Sequence, residues 1–110
     1  MSYRRGDIVI AAAPGDYGKP RPCLVIQSDI FDDIPSVTVC LLTSDLRDDV
    51  PLVRQTVQPA TGNGLQQTSQ IAIDKITTLS LARISRRIGS LEEAEMMQVT
   101  RAIAVFLGIA

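Results

Sequence analysis

Residues 36–44 read SVTVCLLTS. β-Branched residues open the stretch, and the apolar run Val39 to Leu42 ends in two hydroxyl residues, Thr43 and Ser44. Such residues pack well on a pleated surface, and an apolar run this short reads as a buried strand. CLVIQS, at 23–28, is a second run of the same kind. Between the N-terminus and that run, RRGDIVIAAAP (4–14) gives a turn at Gly6-Asp7 and a strand ending before Pro14. The loop GDYGKPRP (15–22) follows, with two glycines and two prolines.

Downstream of the opening stretch, DLRDDVP (45–51) is a polar loop and LVRQTVQP (52–59) alternates as a half-buried strand does. ATGNGL (60–65) carries the turn signal Asn63-Gly64. SQIAIDKI (69–76) is a further strand, with Ile71, Ile73 and Lys75 on one face and Ala72 and Asp74 on the other. TLSLARIS (78–85) reads as a short helical turn and RRIGSL (86–91) as a short strand or connector. Ser90 followed by Glu93 makes a capping box, and Leu91, Ala94, Met97, Ala104 and Leu107 recur at helical spacing. With Gly108 in the place of a C-terminal glycine, the pattern predicts a helix from about Leu91 to Leu107. Five or six strands and one closing helix predict a mainly β, α+β fold. Its form is a small, strongly bent antiparallel sheet or SH3-like open barrel with helical cover.

The chain has 110 residues, the size of one domain, and residues 1–110 are read as a single unit. A chain this long can bury a core without a metal or disulfide staple. With two Tyr, two Phe and no Trp, that core must be aliphatic. The net charge is -1, so any nucleic-acid contact must come from a local positive patch. Of 11 basic residues, only Lys19 and Lys75 are lysines; arginine suits bidentate phosphate recognition. Cys23 and Cys40 lie inside apolar runs and read as reduced core thiols. The chain has no histidine. That removes His-based zinc sites, Ser-His-Asp triads, Cys-His dyads and the two-histidine ribonuclease mechanism. The apolar run Ile8 to Ala13 is too short for a signal peptide, and no run reaches membrane-spanning length, so a cytoplasmic protein is expected.

Three polar positions stand out near strand ends. Pro22 pushes Arg21 toward an extended backbone, and the prolines on both sides hold its guanidinium at low entropic cost. Thr43 and Ser44 put two hydroxyls at a strand end, where they can donate to an oxyanion. Asp74 is an acid in the middle of a strand. Each also has an ordinary structural reading: a loop-capping surface arginine, a turn, and a solvated acid paired with a nearby arginine.

In order along the chain, RRGDIVI, RPCLVIQSD, VTVCLLTSD, a GL before SQIAIDKITTL, RI before IGSL, and a final FLGI together resemble the MazF/PemK toxin family. The resemblance runs from Arg5 to Ile109. It implies a CcdB/MazF-like barrel-like sheet with helices, assembled as a homodimer. It implies a sequence-specific, metal-independent endoribonuclease for single-stranded RNA that needs no cofactor. It further implies a MazE/PemI-like antitoxin whose disordered tail occupies the RNA groove. The family's functional arginine in an RP.LV motif corresponds to Arg21, its hydroxyl residue after the third strand to Thr43, with Ser44 beside it, and the acid of some relatives to Asp74. Plasmid-type relatives carry an arginine two residues before that acid, where this chain has Ala72. Some relatives carry a histidine in the first loop, where this chain has none.

In that chemistry the ribose 2′-hydroxyl attacks its own phosphate, giving a 2′,3′-cyclic phosphate and a 5′-hydroxyl. Arg21 suits the phosphorane charge, Thr43 and Ser44 its nonbridging oxygens, and either Asp74 or Arg21 the proton. Lys19, Arg47 and Arg54 are the candidate RNA contacts, and Tyr17 can stack on an unpaired base or anchor its own loop. A rival class shares the architecture: CcdB-like toxins poison DNA gyrase through a C-terminal Trp-Gly-Ile. Here the chain ends Leu107-Gly108-Ile109-Ala110, without the aromatic anchor. A third reading is an inactive homologue that still binds an antitoxin.

Overall fold

The computed structural model describes residues 3–12 and 18–110. Strands β1 (Asp7–Ala12), β2 (Pro20–Val25), β3 (Ser36–Thr43), β4 (Arg54–Val57), β5 (Ser69–Ser80) and β6 (Ile84–Ser90) precede one helix, α1 (Glu93–Phe106). They form one sheet in the order β4-β5-β3-β2-β1-β6. Every neighbouring pair is antiparallel. The sheet is open, with β4 and β6 at its edges. The mainly β expectation with a C-terminal helix therefore holds.

Both faces of the central strands bury apolar side chains, which is why CLVI and VCLL read as unbroken runs. Ile8, Leu24, Leu42, Ile71 and Ile73 pack on one face with Val99 of α1. Val9, Cys23, Val25, Val39 and Leu79 form a second cluster on the other. Fully burying one such side chain stabilises by about 1.5–3 kcal/mol, so these two aliphatic layers dominate folding. Cys23 and Cys40 are both buried, one in each layer.

The elements differ from the sequence expectation at their ends. β4 is shorter than 52–59, because Pro51 to Val53 form a turn closed by Val53 N donating to Val50 O (3.1 Å). β5 runs on to Ser80, so only Leu81–Arg83 form the helical turn, capped by the Ser80 hydroxyl. Ser90 is not the cap of α1. It is the last residue of β6, opposite Asp7, and its N–H donates to Gly62 O (2.9 Å). The cap position falls to Glu92, without a side-chain cap bond. At the other end the glycine signal is right: Gly108 has φ +76°, Gly108 N donates to Val105 O (3.1 Å) and Ile109 N to Ala104 O (2.8 Å). That pair of bonds satisfies two of the last helical carbonyls in a Schellman turn. Among the described residues no helix is long and apolar enough to cross a membrane.

Candidate functional site

β2 reaches β1 from Pro20 onward but meets β3 only from Cys23, opposite Leu41. Pro20 and Pro22 lack an N–H, so they belong where one side of the strand has no ladder. Extending the Cys23–Leu41 register by two residues sets Arg21 beside Thr43 on the same face of the sheet. Thr43 is itself opposite Gln70 of β5, and Gln70 opposite Thr56 of β4. The arginine and the hydroxyl, 22 positions apart in sequence, thus line one groove at the β2–β3 mouth.

The Thr43 hydroxyl accepts from Asp45 N (3.0 Å), which fixes the oxygen and leaves its proton to donate outward. Ser44 is exposed beside it. The loop after them is held by Gln70, only 3% exposed. Gln70 Oε1 accepts from Arg47 N (2.9 Å), and Nε2 donates to Arg47 O (3.1 Å) and to Thr56 Oγ1 (3.2 Å). A second loop forms the opposite wall around Asn63, which is 5% exposed. Gly64, with φ +70°, lies so close to β6 that a Cβ there would stand 2.2 Å from Ile88 O. Only glycine satisfies both demands.

Asp74 owes its position to an irregularity in β5. Cys40 pairs with Ile76 while the next residue, Leu41, pairs with Ala72, so Ile73, Asp74 and Lys75 bulge out of the ladder. Ile73 turns into the core, and its N–H donates to Val53 O (2.9 Å). Asp74 and Lys75 turn into the groove. The strict alternation read from IAIDKI, which put Lys75 with the buried isoleucines, fails for this reason. Arg54, opposite Ala72 in the β4–β5 register, brings its guanidinium to Asp74. Its Nη2 lies 3.4 Å from each carboxylate oxygen, with the Arg54 side chain 7% exposed and that of Asp74 32% exposed.

These parts line one groove of about 920 Å3, with Arg21, Thr43, Ser44, Arg54 and Asp74 on its walls. Five basic side chains, Arg21, Arg47, Arg54, Lys75 and Arg86, face it against two acidic ones, Asp45 and Asp74. A chain of net charge -1 has concentrated positive charge in one place. Arg47 is exposed and forks onto Asp49 (2.8 and 3.2 Å), which raises the arginine's pKa and lowers that of the aspartate. Lys19 is exposed at the start of β2 but does not line the groove. Tyr17 lies outside the described residues. Arg86, Lys75 and Gln70 are site residues that sequence reasoning missed. The Arg86-Arg87 doublet in a strand was the available signal for the first; nothing local marks the other two. Beneath Asp74, burial pushes the Cys40 thiol up to about 12, with the aspartate's charge adding to the effect.

A cation, a hydroxyl donor and a carboxylate in the same water-accessible groove can stabilise charge on an oxyanion and accept a proton nearby. Among the described residues no cluster of His, Cys, Asp or Glu is arranged to hold a metal ion.

Comparison with known proteins places this geometry. A "Probable endoribonuclease MazF" of Mycolicibacterium smegmatis is 50% identical over 109 residues, covering 97% of this chain and 98% of that one. Endoribonuclease EndoA of Bacillus subtilis is 27% identical, covering 99% and 97%. The solved structure of the Mycobacterium tuberculosis toxin MazF-mt6 superposes with a TM-score of 0.80 at 25% identity, covering 94% of this chain and 98% of that one. Residues 4–107 match the PemK-like, MazF-like toxins of type II toxin-antitoxin systems, and the chain belongs to that family.

Proposed function

We propose that the chain is the toxin of a toxin-antitoxin pair and acts as an endoribonuclease on single-stranded RNA. The observation that carries the reading is the register that sets Arg21 beside Thr43 at the mouth of a positive groove, in a chain of this family. The nucleophile is the substrate's own 2′-hydroxyl, so no bound cofactor or metal is called for. The 2′-oxygen attacks phosphorus as the bond from phosphorus to the 5′-oxygen breaks. Asp74 takes the 2′-hydroxyl proton, and the 5′-oxygen leaves and is protonated from solvent. Arg21 and the hydroxyls of Thr43 and Ser44 hold the charge that builds on the phosphorane oxygens. One such preorganised donor lowers the barrier by about 3–4 kcal/mol. Arginine stays protonated in proteins, which makes it the charge holder and Asp74 the base.

Arg47, Lys75 and Arg86 supply further backbone attraction, with Lys19 at the approach, and Tyr17 stacks on an unpaired base. The working unit is one domain assembled as a homodimer, in the cytoplasm. Exposed Met97, Val105, Phe106 and Leu107 on α1 support an apolar subunit contact. The partner is a MazE/PemI-like antitoxin whose segment covers the groove.

The test is to incubate the purified chain with a long unstructured RNA in EDTA and map the ends, with a gyrase supercoiling assay in parallel. Cuts at one short motif, leaving cyclic phosphate and 5′-hydroxyl ends, are expected, with gyrase unaffected. Intact RNA with inhibited gyrase would establish the CcdB-like mode instead. Intact RNA with unaffected gyrase would establish an inactive antitoxin-binding homologue.

A further inference from the structure

We infer that Arg54 is a positioning residue that holds the Asp74 carboxylate in place, an inference that rests on the endoribonuclease reading. Arg54 is a poor candidate for a stability device. Its side chain is 7% exposed, and Nε and Nη1 are buried with no acceptor among the described residues. A buried cation with unmet donors weakens a fold, and hydrophobic replacements of buried ion pairs are often neutral or stabilising. Nor is it a rim cation reaching for a phosphate. Its guanidinium faces Asp74, with Nη2 at 3.4 Å from both carboxylate oxygens. Charge-assisted hydrogen bonds run at about 2.7–2.9 Å, so this is not the capture of one oxygen. The equal distances share one Nη2 between both oxygens and hold the carboxylate as a group.

Asp74 needs such a hold. It stands on the three-residue bulge of β5, outside the ladder, where backbone pairing does not fix it. The neighbouring strand therefore supplies the constraint, and the fold tolerates an under-bonded guanidinium to do so. Misplacing a reacting group by about 1 Å can cost about 10²-fold in rate.

The experiment uses the full chain and a labelled single-stranded RNA spanning a cut site mapped for the native protein. Arg54→Met, Arg54→Lys, Asp74→Asn and the Arg54→Met/Asp74→Asn double variant are compared in kcat, KM and thermal midpoint. Arg54→Met is expected to lose about 10²-fold in kcat with KM and the midpoint little changed, because Asp74 is 32% exposed and water replaces its partner. The double variant is expected to cut no more slowly than Asp74→Asn alone, because Arg54 acts through that acid. Arg54→Lys, which keeps the charge but not the place of Nη2, should fall between. A lowered midpoint or failure to fold in Arg54→Met makes the residue structural and overturns the inference. A raised KM at unchanged kcat makes it an RNA contact and also overturns it. So do additive losses, or an Asp74→Asn variant that cuts at the native rate, and both leave the nuclease reading standing. A native chain that cuts no RNA removes that reading and the inference with it.

Discussion

Asn63→Ala isolates the groove wall formed by residues 60–65. Asn63 Oδ1 accepts from Ala60 N and Leu65 N, both at 3.0 Å, and Nδ2 donates to Gln58 O at 2.9 Å. Alanine abolishes all three bonds. Each is worth about 1 kcal/mol net, so the loss is about 3 kcal/mol, a large share of a typical stability of about 5–15 kcal/mol. At about 4 °C per kcal/mol for a chain of this size, the thermal midpoint should fall by about 12 °C. Asn63→Asp keeps both acceptor bonds, loses the donor and sets a carboxylate against Gln58 O; it should cost about 1–2 kcal/mol. The assay is thermal and urea unfolding at a single protein concentration, since assembly shifts apparent midpoints. RNA cleavage well below the midpoint should fall too, because Gly64 to Gln67 line the groove beyond this residue. An Asn63→Ala variant within about 0.5 kcal/mol of native would refute the reasoning, since that is the range of an ordinary surface change.

Thr43→Val should lower cleavage by about 10²–10³-fold in an RNA assay, while Thr43→Ser keeps most of it. Arg21→Ala should abolish cleavage yet shift urea stability by no more than about 0.5 kcal/mol, because the side chain is exposed. Gln70→Leu should loosen the loop after Thr43, read as faster proteolysis within residues 44–50 together with slower RNA cleavage. Cys40, with its thiol pushed from 9.0 up to about 12, should resist alkylation in the native protein at neutral pH. Its folded pKa lies above the unfolded one, so the folded state holds the proton longer and stability falls as pH rises between those two values. The slope is about 1.4 kcal/mol per pH unit, and urea midpoints of Cys40→Ala across that window should lack this contribution.

The parts of the fold set by local pattern were legible. SVTVCLLTS and CLVIQS are strands because short, β-rich apolar runs have few other uses. The helix and its glycine stop follow from spacing, and Asn63-Gly64 was a visible turn. Arg21 and Thr43 stood out through flanking prolines and strand ends, and the family resemblance joined them. What escaped was set by pairing between distant residues. Nothing in IAIDKI announces the bulge at Ile73 to Lys75; it arises where β3 and β5 align, and it carries Asp74 and Lys75 into the groove. The Arg54–Asp74 contact spans 20 positions and depends on the pairing of β4 with β5. Gln70 looked like one more strand residue until its amide met the backbone of Arg47. Ser90 and Glu93 matched a capping box, but β6 keeps Ser90 in the sheet through Asp7 and Gly62.

Attack by the ribose 2′-hydroxyl, with Arg21 holding the phosphate, is tested most directly by one substrate pair. A single-stranded RNA spanning the mapped cut site is compared with the same strand carrying 2′-deoxyribose at the cleaved nucleotide, in EDTA, with binding and cleavage both measured. The deoxy strand should bind as the RNA does and stay intact. Cleavage of the deoxy strand at that position would contradict the mechanism.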